Sequence, residues 1–100
     1  MKLIIARKNG RVVVSRLKSG GSYVEALFVD EEHRGLGIET SLMTQVIRKC
    51  NPPIYLFVSS EFGADYQRLK RFYKSLGFKT SSGTCKEIGL RYNMVYWGGA

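Results

Sequence analysis

The stretch Arg34-Gly35-Leu36-Gly37-Ile38-Glu39-Thr40 concentrates residue types that could bind an anion. Gly35 and Gly37 allow a tight turn and close approach of a ligand to the backbone, and they open an amphipathic run that begins near Ile38. The first amide N–H groups of a helix have no intrahelical acceptor and carry partial positive charge. Arg34 adds a full charge, so the loop suits a phosphate. Glu39 works against this. A carboxylate in the first turn stabilises an isolated helix by roughly 0.3–1 kcal/mol but repels phosphate bound to the same amides. The two demands are reconciled if the Glu39 side chain swings out to solvent and the excess of basic residues offsets its charge, which is the expected arrangement. The same residues would also serve as a plain turn from strand to helix.

Few other side chains offer chemistry. Glu25 is the one acid in the central strands; alternation would place it on one face with Tyr23, Leu27 and Val29. His33 is the sole histidine. Cys50 and Cys85 lack a CxxC spacing and a nearby histidine, so both are expected to be reduced and structural, with no metal site.

The elements that must position these residues follow from periodicity. Leu3 to Ala6, Arg11 to Arg16 and Tyr23 to Val29 are β-branched or aromatic runs separated by Lys8-Asn9-Gly10 and Ser19-Gly20-Gly21, which predicts an antiparallel meander. Ile38, Leu42, Met43, Val46 and Ile47 recur at helical spacing until Asn51-Pro52-Pro53. Ile54 to Ser59 reads as a buried strand. A second helix is expected from Ala64 to Leu76, ended by Gly77. Phe78 to Thr80, Lys86 to Leu90 and Tyr92 to Trp97 are candidate strands around a Ser81-Ser82-Gly83 turn. The result is an α/β chain, a mixed sheet with helices packed on it, in one domain over residues 1–100. The longest apolar runs are four or five residues, too short for a membrane span or signal-peptide core, so a cytoplasmic protein is expected. A net charge of +8 suits anionic partners: coenzyme phosphates, nucleic acid or an acidic protein.

The order of these motifs, "LFVDEEHRGLGIETSLM", then "IYLFV", then "RFYKSLGF", resembles the GNAT superfamily of N-acetyltransferases. The family's pyrophosphate signature is Arg or Gln, two residues, Gly, one residue, then Gly or Ala; Arg34, Gly37 and Glu39 fall on those places, and Glu39 departs from the pattern. The resemblance implies the acyl-CoA N-acyltransferase fold without its first strand and first two helices, and transfer of acetyl from acetyl-CoA to an amine by direct attack.

The resemblance also implies roles. Leu27, Phe28 and Val29 would line the acetyl and pantetheine end, with a backbone N–H at or beside Val29 polarising the thioester carbonyl. Arg34, Gly35, Leu36, Gly37, Ile38, Glu39 and Thr40 would hold the pyrophosphate. Tyr73 matches the family tyrosine that gives a proton to the departing sulfur, although it also fits an apolar stripe with Leu69, Phe72 and Leu76. Glu25 loosely matches a glutamate that acts as base, and water could replace it. With the usual first elements missing, the acceptor side would be open or closed by another subunit, as in a homodimer. That suits a protein lysine or N-terminus better than an enclosed small molecule. Five of the eight acids lie within residues 25 to 39, which would draw a cationic amine. The alternative is a GNAT-shaped, non-catalytic module that binds nucleic acid, an acidic protein or acetyl-CoA. No membrane partner is expected.

Overall fold

A computed structural model describes residues 2–30, 32, 37–59 and 66–98. The elements run β1 (Lys2–Arg7), β2 (Gly10–Arg16), β3 (Ser22–Val29), α1 (Ile38–Lys49), β4 (Ile54–Leu56), α2 (Tyr66–Ser75), β5 (Lys79–Cys85) and β6 (Leu90–Tyr96). The expected mixed α/β architecture is present. One six-stranded sheet has the order β1-β2-β3-β4-β6-β5, with β3 and β4 paired in parallel and the other neighbours antiparallel.

Apolar patterning places both helices on the same face. Leu42, Met43 and Val46 of α1 are fully buried against Val12, Val14 and Val24, and the same core continues through Ile54, Leu56, Val58 and Met94 to Tyr73 and Phe78 at α2. Glycine sets how close α1 comes. A Cβ on Gly10 would lie 2.8 Å from the Phe28 carbonyl, 3.0 Å from Ile38 and 3.2 Å from Leu42. Gly10→Ala is therefore expected to lift the start of α1 off the sheet and destabilise the fold by about 1–3 kcal/mol, measured by denaturant unfolding. α2 ends as expected: Gly77 adopts φ +103°, and the Phe78 N–H reaches back to the Tyr73 carbonyl at 3.1 Å.

Three details differ from the sequence expectation. Val13 pairs with Ala26 while Val14 pairs with Val24, so Glu25 is an extra, bulged residue. The bulge divides the face expected to hold Tyr23, Glu25, Leu27 and Val29. Val24, Leu27 and Val29 pack on the helix side, whereas Tyr23 joins Leu17 and Cys85 in a smaller cluster opposite. β4 is short, its end held instead by Asn93, whose side chain accepts from the Val58 N–H at 2.8 Å and donates to the Val58 carbonyl at 2.9 Å. Finally, Ser81-Ser82-Gly83 lies within β5 as an irregularity, and the turn falls at residues 86–89. Gly83 is needed there because the Tyr92 phenol occupies the space of a side chain.

Candidate active site

β3 and β4 part company in mid-sheet. Their pairing comprises Ser22 with Ile54 and Tyr23 with Tyr55, while β3 continues to Val29. The Asp30 N–H donates to the Asn9 carbonyl at 2.9 Å, on the β2 side. Amide directions alternate along a strand, so Phe28 also turns toward β2, and the N–H groups of Leu27 and Val29 turn toward the gap left by β4. The sheet thus presents two backbone donors at the opening.

Beside the gap lies a cavity of about 300 Å³, lined by Val29, by Gly37, Ile38, Glu39 and Thr40 at the start of α1, and by Arg68 and Phe72 of α2. Gly37 caps α1 in the left-handed region, φ 82°, and the helix has no side-chain cap. The first intrahelical bond runs from the Ser41 N–H to the Gly37 carbonyl at 3.0 Å, leaving the amides of Ile38, Glu39 and Thr40 without partners of that kind. These amides and Arg68 fit a phosphate, and an anionic ligand could lie between the two helices.

Glu39 is not turned wholly to solvent, contrary to the sequence expectation. It is half-buried, lines this cavity, and its negative charge acts on the Tyr73 phenol. Tyr73 is buried between Phe72 and Phe78, with ring centroids at 5.1 and 5.7 Å. Burial, then Glu39, pushes its pKa up to about 12, so the phenol keeps its proton across the range in which enzymes work. The ring packs in the apolar stripe beside Phe72, which lines the cavity.

Glu25 sits away from that cavity, on the opposite side of the sheet. Ser15 Oγ donates to Glu25 Oε2 at 2.8 Å, and Lys2 Nζ lies 3.3 Å from the same oxygen. Phe28 also faces that side, separated from its neighbours Leu27 and Val29. Arg34, Gly35 and Leu36 lie outside the described residues, as do His33 and Ala64. Of the acids expected near the site, Glu25 is paired with Lys2, Asp30 shares a second cavity with three basic residues, and Glu39 lines the first, while Glu31 lies outside the described residues. In sequence Arg68 is one of a run of basic residues with Lys70, Arg71 and Lys74, and a charged helix face does not reveal which residue turns toward a neighbouring helix.

Among the described residues, no group of three or more His, Cys, Asp or Glu is placed to hold a metal, and no helix is long and apolar enough to cross a membrane.

Residues 1–95 match the acetyltransferase (GNAT) domain family. The fold is similar to a GNAT-family acetyltransferase of Staphylococcus aureus, at 25% identity and TM-score 0.69 over 89% of this chain and 58% of that one. It is similar to Arabidopsis thaliana Naa50, solved with the bisubstrate analogue CoA-Ac-MVNAL, at 24% identity and TM-score 0.61 over 87% of this chain and 63% of that one. It is also similar to a Bacillus anthracis protein named as a streptothricin acetyltransferase, solved with acetyl coenzyme A, at 20% identity and TM-score 0.63 over 96% of this chain and 60% of that one. The chain spans 58% to 63% of the length of these structures. A search of curated protein sequences finds no match.

Proposed function

The chain belongs to the GNAT acetyltransferase family, and from that premise we propose that it transfers acetyl from acetyl-CoA to an amine carried by a protein, a lysine or an N-terminus. The observation that carries this reading is the parting of β3 from β4 beside the uncapped start of α1. A thioester can enter such a gap while its phosphates remain at the helix amides.

In this reading acetyl-CoA supplies the activated acyl group. The amides of Ile38, Glu39 and Thr40, with Arg68, hold its phosphates, and Arg34, Gly35, Leu36 and Gly37 complete the loop. Leu27 and Val29 donate backbone hydrogen bonds in the gap, one of them to the carbonyl oxygen as negative charge develops there. The neutral amine attacks the carbonyl carbon; the C–N bond forms, the C–S bond breaks, and sulfur leaves as a thiolate. Tyr73 donates a hydrogen bond to that sulfur. With a pKa of about 12 it need not surrender its proton to a thiolate whose ordinary pKa is about 8.5, which can be protonated by water.

Glu25 receives the amine proton directly or through water. Lys2 and Ser15 hold its carboxylate on the side away from the helices. Glu25→Gln is expected to lower kcat/KM by about 10²-fold with acetyl-CoA affinity unchanged, checked by kinetics across pH and by calorimetry.

Calorimetric titration of CoA and acetyl-CoA, followed by a thiol-release assay with peptide amines, tests the proposal. Saturable binding and amine-dependent thiol release support it. A second reading has its own observation, Glu39 in the cavity wall: a non-catalytic module would show no wild-type binding, but gain it in Glu39→Gly.

A further inference from the structure

The sheet face opposite the helices carries aromatic and basic residues that the acetyl-CoA site does not use. Phe28 of β3 and Phe57, just after β4, are 52% and 45% exposed, large values for phenylalanine. They stand on either side of the gap. Residue pairing places Tyr23 beside Tyr55, and alternation beyond that pair, corrected for the bulge at Glu25, puts Phe28 and Phe57 on the same face.

Each phenylalanine is capped by an arginine from a neighbouring strand. The Arg11 guanidinium carbon lies 5.0 Å from the Phe28 ring centroid, and that of Arg91 lies 5.8 Å from the Phe57 ring centroid. Both arginines are exposed. Lys8 and Arg11 also line a cavity of about 390 Å³ with Phe28, and Asp30 is the one acid among the described residues of its wall; Arg7, at its edge, turns its guanidinium to the Ser41 hydroxyl of α1. Glu25, farther along this face, is already offset by Lys2.

Because both helices and the candidate phosphate site occupy the other face, a nucleophile can reach the gap from this one. We infer that the acceptor amine lies in an acidic peptide segment with an apolar anchor, seated on the Phe28 and Phe57 lips and held by Arg11 and Arg91. This inference rests on the acetyl-transfer reading, of which it specifies the substrate class. Two opposed aromatic lips provide apolar contact without an enclosed pocket. The arginines above them favour carboxylates flanking the amine and disfavour basic sequences.

The test measures binding separately from turnover. A fluorescein-labelled twelve-residue peptide with a central lysine, one leucine and flanking Asp and Glu is compared by anisotropy with the same peptide carrying Lys and Arg flanks. Roughly tenfold tighter binding of the acidic peptide is expected in modest salt, with the order reversed in the Arg11→Glu/Arg91→Glu double variant. The charge-reversed peptide controls for folding, because a misfolded variant would bind neither. Equal binding of the two peptides would overturn the inference. So would displacement of the acidic peptide by a twenty-nucleotide RNA that binds tighter in the same salt. Binding in the expected order with no thiol release would overturn the transfer reading while leaving this face an acidic-peptide site; thiol release without peptide preference would do the reverse.

Discussion

Glu39→Gln is expected to bind acetyl-CoA about tenfold or more tightly than the native chain, with little change in the fold. The side chain keeps its length and loses only its charge. Glu39 lines the cavity whose amides are otherwise arranged for phosphate. At effective dielectric constants near 20, a unit charge several ångströms from a phosphate costs on the order of 1–3 kcal/mol, which corresponds to the stated gain. The opposing term is smaller: a first-turn carboxylate contributes about 0.3–1 kcal/mol to the helix. Removing the charge also removes the second cause of the raised Tyr73 pKa, which should move downward from about 12 while burial still holds it above the ordinary value. Calorimetry at two salt concentrations, with ultraviolet titration of the phenol, measures both effects. Part of the affinity difference should fade with added salt.

Tyr73→Phe is expected to reduce kcat by about 10²-fold while leaving the KM for acetyl-CoA nearly constant. The ring that fills the space between Phe72 and Phe78 is retained, and only the hydroxyl is removed. If the phenol supports the departing sulfur by hydrogen bonding, its loss acts on the transition state alone, and mutations of a single such donor cost about 10²–10³-fold. The defect should shrink with an acyl thioester of a more acidic thiol, whose leaving group needs less support. Because the native phenol ionises only near 12, neither protein should owe an alkaline limb between pH 7 and 10 to this residue. A variant equally impaired in KM and stability would instead identify Tyr73 as packing.

Local patterning made much of this architecture legible. The three-stranded meander, the helix from Ile38 and the termination at Gly77 follow from alternation, helical spacing and turn chemistry, and each lies where expected. The faces of β3 did not follow, because strict alternation assumes a regular strand. One bulged residue, Glu25, reverses the assignment of everything on one side of it. Ser81-Ser82-Gly83 has the composition of a turn, yet its glycine answers to Tyr92 on the adjacent strand, a long-range requirement invisible locally. The end of β4 is similarly hidden, because an apolar run does not reveal that the Asn93 side chain replaces ladder bonds at Val58. Glu39 was expected in solvent from the conflict of charges alone, whereas the cavity between α1 and α2 keeps it half-buried. Sequence motifs thus identified the elements around the site more directly than the directions in which their side chains point.

The most direct test of the central claim is an amide NMR titration of the native chain with acetyl-CoA. The account predicts saturable shifts of the Leu27 and Val29 amides together with those of Ile38, Glu39 and Thr40, while Lys18 and Ser19, in the β2–β3 turn at the other end of β3, remain still. Shifts confined to other surfaces, or none at millimolar ligand in the native chain and in Glu39→Gln, would contradict it.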